Sequence, residues 1–242
     1  MPGAWLILPT YNEAENIDAL VRAAHTQLES TGVGHTILVV DDGSPDGTGE
    51  IADRLAAELA PVHVLHRSRK QGLGRAYLAG FAMALAAGAE LILEMDSDFS
   101  HDPADLPRLI AASEAADLVL GSRYVPGGGI TEWGRLRRLL SRGGSAYARI
   151  LLGVPVRDLT GGFKCFHRRV LEAIDIEHVH ADGYGFQIEL TYKAVKAGFT
   201  VAEVPILFRE RRVGSSKMNA RIALEAVWKV PALRLAAARG KL

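Results

Sequence analysis

Two aspartates separated by one residue, Asp96 and Asp98, follow the apolar run 91–93 and precede a turn at Asp102-Pro103. Carboxylate oxygens are the ligands that hard cations such as Mg²⁺ and Mn²⁺ prefer. The carboxyl end of a strand is also where open α/β sheets bind their ligands. The pair therefore predicts a site for a metal that neutralises a bound diphosphate, although two acids after a strand are also compatible with a solvated turn.

A second pair of acids, Asp41 and Asp42, ends the β-branched run 36–40, which is typical of a strand buried on both faces. Because parallel strands end at the same edge of a sheet, we expect these acids to gather with Asp96 and Asp98 along that edge. Asp41 is the stronger candidate for ligand binding because it ends the buried run. Asp42 is equally compatible with a helix-capping role.

The segment that follows the first apolar run is Pro9-Thr10-Tyr11-Asn12-Glu13. A dinucleotide-binding fold would need Gly-x-Gly-x-x-Gly at this point, so that the backbone could approach a pyrophosphate. The sequence therefore argues against a dinucleotide site. It favours a nucleotide held without a glycine loop, with Tyr11 and Glu13 beside its base or ribose.

Short strands alternate with helical patterns throughout the first half of the chain. Predicted strands cover 4–8, 36–40, 62–65, 90–95 and 117–120, and predicted helices fill most of the segments between them. Asn12 and Glu15 have the spacing of a capping box at the start of the first helix. The apolar face of that helix is predicted to contain Ile17, Leu20, Val21, Ala24 and Leu28. This alternation predicts a mostly parallel, doubly wound sheet flanked by helices.

The second half of the chain has a looser pattern. The sequence predicts a basic helix at 132–151, a turn and strand at 158–166, a helix at 185–197 and a strand at 200–208. A final helix at 219–239 is amphipathic and basic, and we expect Pro231 to kink or interrupt it. These patterns divide the chain into a catalytic domain, residues 1–218, and a C-terminal helical tail, residues 219–242.

The composition restricts the class of protein. Hydrophobic residues make up 48% of the 242 residues, which is enough for a core. The single cysteine, Cys165, excludes an internal disulfide, favours a reducing compartment and is expected to pack as a small apolar residue. The chain opens directly on a predicted strand without a secretory signal pattern, and no apolar run approaches the ~20 residues of a membrane-spanning helix.

The formal net charge of zero hides a division along the chain. Residues 1–120 hold 7 Lys and Arg against 18 Asp and Glu, whereas residues 121–149 hold 6 against 1 and residues 204–242 hold 9 against 2. An acidic half with two basic blocks predicts a metal-binding region that works together with surfaces for anionic groups. The basic blocks contain no nucleic-acid-binding motif, so nucleic acid is not an expected partner.

Several segments together resemble the family 2 glycosyltransferases. The shared pieces are 8–13 (Leu-Pro-Thr-Tyr-Asn-Glu), 40–44 (Val-Asp-Asp-Gly-Ser) and 96–98 (Asp-Ser-Asp). Further segments match the polyprenol-phosphate (dolichol-phosphate) mannose synthases in order, namely 121–124, 133–143, 158–163, 182–189 and 214–217. This resemblance covers about 5–218 and implies a GT-A fold, an α/β fold with a mostly parallel sheet. It also implies inverting, metal-dependent transfer of mannose from GDP-mannose to a polyprenyl phosphate, which gives β-mannosyl phosphoprenol and GDP.

The resemblance further implies roles for individual residues. The nucleotide sugar would be bound by Pro9, Tyr11, Glu13, Asp41, Asp96, Arg123 and Gln187. A Mg²⁺ or Mn²⁺ ion would be held by Asp96, Asp98 and Ser100, the last of which replaces a glutamine of some relatives. The lipid phosphate would be bound by Arg123, Arg137, Arg211 and Lys217. Catalysis would depend on Asp98, Arg123 and Arg211.

The implied chemistry agrees with the charge distribution. A lipid phosphate is already an anion at pH 7, so it can attack a sugar without the general base that an alcohol acceptor needs. The site must instead hold two anions close together, which a metal and the bidentate forks of arginines can do.

Three alternatives share part of this pattern. A UDP-glucose-dependent polyprenyl-phosphate glucosyltransferase would carry the same motifs. A Mg²⁺-dependent nucleotidyltransferase would normally have a glycine-rich, basic loop after the first strand, which this chain lacks. A silent scaffold would not need both Asp96 and Asp98.

A polyprenyl acceptor implies contact with a membrane. The tail at 219–239 is predicted to lie as an interfacial helix on an anionic cytoplasmic membrane surface, and a helix packed on the domain is the alternative. We therefore expect a peripheral protein on the cytoplasmic face of a membrane. Some relatives rely on a separate membrane-anchoring subunit, which the resemblance leaves open as a partner. Segments 125–131 and 209–217 are candidate lids over the donor.

Overall fold

A computed structural model describes residues 3–176, 179, 183–210 and 220–239. Its strands are β1 (Ala4–Thr10), β2 (His35–Asp41), β3 (Val62–His66), β4 (Leu91–Glu94), β5 (Leu118–Ser122), β6 (Gly129–Ile130), β7 (Lys164–His167), β8 (Val201–Pro205) and β9 (Leu207–Phe208). Its helices are α1 (Ile17–Glu29), α2 (Thr48–Glu58), α3 (Leu73–Ala86), α4 (Leu106–Ala112), α5 (Arg135–Leu152), α6 (Arg168–Ala173), α7 (Gly183–Lys196) and α8 (Ala220–Ala238). A 3₁₀ turn, Pro103–Asp105, precedes α4.

The central sheet has seven strands in the order β3-β2-β1-β4-β7-β5-β8. Its pairs are parallel except for those of β7, which runs antiparallel to both β4 and β5. The alternation of strands and helices had predicted a mostly parallel sheet, and that prediction is confirmed. The predicted strand at 200–208 is divided, because β9 leaves the sheet edge and pairs with β6 in a small second sheet.

Two apolar clusters pack on opposite sides of the main sheet, as the two-sided burial of its strands requires. The apolar face predicted for α1 is confirmed, since all five of its residues are buried. Cys165 is buried with a free thiol and packs in the same cluster as α1. Burial raises the pKa of that thiol to about 12, so it acts as a small apolar group.

The first turn after β1 differs from the predicted capping box. The helix begins at Ile17, and Asn12 lies before it with a left-handed φ of 56°. The carbonyl of Glu13 accepts hydrogen bonds from the N–H groups of Asn16 and Ile17, both at 2.9 Å. The Asn12 N–H donates to the Ser44 hydroxyl at 3.0 Å, so this residue joins two loops instead of capping a helix.

Helix α8 continues through Pro231 without interruption, contrary to one of the two outcomes expected for that proline. Val230 is buried in the cluster that contains α7, and Leu233 and Ala237 pack against it. The predicted alternative, a helix packed on the domain, therefore describes these three residues. Trp228 is 78% exposed. Within the residues that the structure describes, no helix combines the length and the apolar character needed to cross a membrane.

Candidate functional site

The ends of β1 and β2 place Asp41 beside Thr10 at the sheet edge. Thr10 and Asp41 are register partners, and Asp41 is only 4% exposed. Its carboxylate accepts hydrogen bonds from the Ser44 hydroxyl at 2.5 Å, the Ser44 N–H at 3.1 Å and the Thr10 hydroxyl at 3.3 Å. These bonds hold the carboxylate in one orientation at the sheet edge before any ligand binds.

Asp42 has a different role from its neighbour. Its carboxylate forms an ion pair with Arg67 and accepts the N–H of Gln71 at 3.0 Å. Both partners lie between β3 and α3. Asp42 therefore joins two loops of the sheet edge, and the predicted helix-capping alternative is wrong, because α2 begins at Thr48 with Gly47 as its cap residue.

The predicted nucleotide residues lie along the same edge. Tyr11 is partly buried with the Lys70 ammonium 4.0 Å from its ring centroid. The Glu13 carboxylate accepts the Asn16 amide at 2.9 Å, and its backbone N–H donates to the Thr48 hydroxyl at 2.9 Å. An aromatic face and a carboxylate in the segment between β1 and α1 can bind a base and the hydroxyl groups of a ribose.

The loop that carries Asp96 and Asp98 is tied to β1. The Ser97 hydroxyl donates to the carbonyl oxygen of Pro9 at 3.0 Å, which joins the loop to the predicted nucleotide segment. Phe99 has a left-handed φ of 60°, which is costly for a residue with a side chain. The turn lets the Ser100 N–H donate to Asp98 Oδ1 at 3.0 Å. Asp98 is buried, whereas the Asp96 side chain is 32% exposed.

Two buried side chains contact Asp96. The Tyr77 hydroxyl donates to Asp96 Oδ1 at 3.3 Å, and the Asp96 N–H donates to Nδ1 of His101 at 3.4 Å. Burial, followed by the charge of Asp96, raises the pKa of Tyr77 well above its usual value, so its hydroxyl keeps its proton. Burial lowers the pKa of His101 to about 4, so its ring is neutral at pH 7 and can accept this bond.

The oxygen donors of this loop fit a hard divalent cation. Ser100 is 3% exposed, and its hydroxyl oxygen has no hydrogen-bond partner within the described residues. A buried oxygen left in this way, on a residue whose N–H donates to Asp98, is the kind of donor that a metal would satisfy. No cluster of three or more His, Cys, Asp or Glu side chains in the described part of the chain has metal-binding geometry. A bound metal would therefore take further oxygen ligands from a diphosphate or water.

Arg123, predicted to bind phosphate, lies in a buried ion pair. Its Nε donates to Asp158 Oδ2 and its Nη2 to Asp158 Oδ1, both at 2.7 Å. Nη2 also donates to the Thr160 hydroxyl at 2.8 Å. The Arg123 and Asp158 side chains are 4% and 0% exposed. The structure therefore gives the guanidinium an internal carboxylate partner, which the sequence did not predict, and any phosphate contact has to be made in addition to this pair.

Of the other residues predicted to bind the lipid phosphate, the structure describes Arg137. Arg137 lies on α5 and donates to the Glu210 carboxylate at 2.7 Å, with its guanidinium carbon 3.9 Å from the ring centroid of Trp133. Arg211 and Lys217 lie outside the described residues. Their phosphate roles stay predictions.

Gln187, Lys164 and Glu94 form a buried polar network, of which the sequence predicted only Gln187 as a functional residue. Gln187, a predicted sugar residue, is 3% exposed, and the Lys164 ammonium donates to its backbone carbonyl at 3.1 Å and to its side-chain oxygen. The ammonium also lies 3.3 Å from Oε1 of Glu94. A lysine and a glutamate inside apolar runs were the available signal, since such residues are almost never fully buried without partners.

An exposed apolar surface on α5 was also missed. We call it the α5 stripe and define it as Leu136, Leu139, Leu140, Tyr147 and Ile150. The four aliphatic side chains are 66–74% exposed, and Tyr147 is 39% exposed. Their spacing places all five on one helical face. The signal for the stripe is the helical spacing of these apolar residues within the predicted basic helix.

Comparisons with known proteins show what the chain is similar to. The family model described as "Glycosyl transferase family 2" matches residues 5–175. The polyprenol monophosphomannose synthase of Mycolicibacterium smegmatis is 50% identical over 227 residues, which are 93% of this chain and 84% of that protein. The undecaprenyl-phosphate mannosyltransferase of Micrococcus luteus is 46% identical over 231 residues, which are 96% of this chain and 93% of that protein.

Solved structures share the fold. The glucosyl-3-phosphoglycerate synthase of Mycobacterium tuberculosis, crystallised with Mn²⁺, UDP and phosphoglyceric acid, has a TM-score of 0.73 at 21% identity. The match covers 96% of this chain and 78% of that one. The mostly parallel seven-stranded sheet flanked by helices is thus a GT-A-like fold, as the resemblance implied.

Proposed function

The chain belongs to glycosyl transferase family 2, and on that basis we propose that it transfers mannose from a nucleotide-activated donor to a polyprenyl phosphate. The observation that carries this proposal is the identity of 46–50% with two polyprenyl-phosphate mannosyltransferases over at least 93% of the chain. The strand edge supports it, because Asp41 pairs with Thr10 at the ends of β1 and β2 and the loop with Asp96 and Asp98 is bonded to Pro9 through Ser97.

The proposed donor is GDP-mannose. Pro9, Tyr11, Glu13 and Asp41 would bind its nucleoside, while Asp96 and Asp98, with the hydroxyl of Ser100, would hold Mg²⁺ or Mn²⁺. When bound, that ion would neutralise the diphosphate and act as a Lewis acid toward the leaving group. The bonds from Ser97 to Pro9 and from Ser44 to Asp41 support this assignment because they fix the two loops in place without a ligand.

The proposed reaction is a single displacement. An oxygen of the acceptor phosphate forms a bond to the anomeric carbon while the bond from that carbon to the diphosphate oxygen breaks, so the configuration inverts and the product is a β-mannosyl phosphoprenol. No proton has to be removed from an anionic nucleophile. The neutral, buried His101 supports this mechanism, since it accepts a backbone hydrogen bond and does not serve as a base.

We propose a peripheral position on the cytoplasmic face of a membrane, and the exposed α5 stripe supports the contact with lipid. Its leucines could enter the acyl boundary while the arginines of the same helix meet anionic lipid head groups. The opposite side of α5 contacts the site, since Ser141 accepts the Tyr124 hydroxyl at 2.7 Å and Ser145 lies 3.0 Å from the Thr160 hydroxyl. A lipid phosphate held at this helix would therefore be near Arg123. A separate membrane subunit could add to this contact.

The test is transfer by the purified chain. We would incubate it with Mn²⁺, a polyprenyl phosphate and radiolabelled GDP-mannose, UDP-glucose or UDP-GlcNAc, and expect label in the lipid phase from GDP-mannose only. Label from UDP-glucose alone would show that UDP-glucose, and not GDP-mannose, is the donor. No label from any of the three would reject the proposed function. Cleavage of the product by a β-mannosidase tests inversion. A chelator should abolish transfer, with recovery on added Mg²⁺ or Mn²⁺.

A further inference from the structure

Glu94 and Lys164 form a charged pair that has no exposure to solvent. They are register partners on the antiparallel strands β4 and β7, and each side chain is 0% exposed. Removing two charges from water is costly, and apolar side chains of similar size would fill the same space as well or better. The sheet itself therefore does not require this pair, and its use must lie in what the ammonium and carboxylate contact.

The contact of the pair outside the sheet is Gln187. The Lys164 ammonium can only donate hydrogen bonds, and it donates to both the backbone carbonyl and the side-chain oxygen of Gln187. The side-chain amide is therefore held in one orientation, with its oxygen on Lys164 and its Nε2 directed away from the ammonium. Burial raises the pKa of the Glu94 carboxyl, and the Lys164 ammonium and then the Gln187 amide oppose that rise, so the carboxyl lies beside both groups.

Nε2 of Gln187 is a buried donor without a hydrogen-bond partner of acceptable geometry within the described residues. A Cβ placed on Gly162 would lie 3.2 Å from this nitrogen and 3.7 and 3.8 Å from the two carboxylate oxygens of Asp96. Because Gly162 has no side chain, a gap remains between the amide nitrogen of Gln187 and the carboxylate of Asp96.

We propose that Gln187 recognises a hydroxyl group of the donor hexose in the gap at Gly162, and that Lys164 and Glu94 are positioning residues that hold its amide with Nε2 toward the sugar. A hydroxyl can accept from Nε2 and donate to Asp96 at the same time. A phosphate oxygen in this gap would face the Asp96 carboxylate and be repelled. The inference rests on the proposed function and assigns the part of the donor that this gap contacts.

The first test compares binding of GDP-mannose with binding of GDP by calorimetry in the presence of Mn²⁺, with UDP-glucose and UDP measured in parallel. The isosteric variant Gln187→Glu keeps an oxygen for Lys164 but turns the donor into an acceptor beside Asp96. We expect its affinity for the nucleotide sugar to fall at least about tenfold, with the affinity for the free nucleotide within about twofold. Equal losses for both ligands, or no loss, would overturn the proposal.

The second test concerns the positioning residues. The double variant Lys164→Met/Glu94→Met removes the charged pair as a unit, which avoids leaving one buried charge unpaired and should preserve folding. It should lose affinity for the nucleotide sugar selectively, as Gln187→Glu does. The matched control is Lys196→Met, which removes an exposed lysine from α7, the helix that carries Gln187.

A third test distinguishes a positioning role of the pair from a purely structural one. If Lys164 and Glu94 act through Gln187, removing them in a Gln187→Ala background should cause no further loss of sugar selectivity. Full additivity of the two losses, or wild-type sugar binding in the pair variant, would contradict the positioning role. These binding measurements contain no lipid acceptor, so a failure of transfer to the lipid would not affect their outcome.

Discussion

The acid-bearing sheet edge and the α5 stripe hold their side chains in opposite ways. At the sheet edge, Asp41 and Asp98 are buried and accept hydrogen bonds from their own loops. On α5, four aliphatic side chains are at least 66% exposed. The first arrangement suits chemistry that needs fixed geometry, and the second suits a surface that an apolar partner covers. The two regions should therefore respond differently to substitution.

The largest expected effect is on transfer in the first region. Asp98→Asn keeps the shape of the side chain but removes the charge proposed for the metal site, so we expect transfer to fall at least about 10²–10³-fold. The loss should be the same for a long polyprenyl phosphate in vesicles and a short-chain one in detergent, measured as kcat/KM. Asp105→Asn, in the 3₁₀ turn of the same loop, is the matched control. Near-normal transfer by Asp98→Asn would show that Asp98 does not belong to the metal site.

The second prediction concerns stability. Asp158→Ala leaves the Arg123 guanidinium buried without its carboxylate, and we expect the free energy of unfolding to fall by about 3–5 kcal/mol. Urea unfolding measures this. In contrast, Leu136→Ser on the α5 stripe should change it by less than about 0.5 kcal/mol, because the side chain is 70% exposed. Equal losses of unfolding free energy in the two variants would contradict the difference in burial between the Arg123–Asp158 pair and the α5 stripe.

The third prediction separates membrane contact from chemistry. Burial of an exposed leucine is worth about 1.5–3 kcal/mol, so the triple variant Leu136→Ser/Leu139→Ser/Leu140→Ser should bind anionic vesicles at least about 100-fold more weakly. Its transfer to a short-chain acceptor in detergent should stay within about twofold. Met83→Ser, which removes an isolated and partly exposed apolar residue on α3, is the control. Unchanged vesicle sedimentation would place the membrane contact elsewhere.

The smallest predicted effect is the pH dependence of stability at the sheet edge. His101 has a pKa lowered to about 4 by burial, with Asp98 and Asp158 opposing the shift and Arg123 adding to it. The unfolded chain, with an ordinary pKa near 6.5, binds a proton that the folded chain does not bind between these values, so stability is lost as pH falls. We expect a loss of about 1 kcal/mol from pH 7.5 to 5.5 in a chelating buffer.

The control for this pH effect is His101→Gln, which carries no titratable group. Its unfolding free energy should have a flatter slope over the same range. An identical slope in both proteins would assign the pH dependence to other groups.

Much of the fold followed from local patterns. All five strands predicted in the first half begin within one residue of those observed, and the face of α1 was correct in every residue. The capping box at Asn12 was wrong because the Ser44 hydroxyl, 32 residues away, binds the Asn12 N–H. Spacing within a segment cannot reveal a partner that another loop supplies.

The sequence by itself determined which side chains reach the sheet edge, because each pair of aspartates follows its own strand and parallel strands end together. Only the tertiary structure decided which of those groups are already engaged. Arg123 and Asp158 are 35 residues apart and meet as a buried pair, and β7 enters the sheet antiparallel and places Lys164 beside Glu94. Such contacts depend on strand order and register, which are set by packing over the whole domain and not by the period of any one segment.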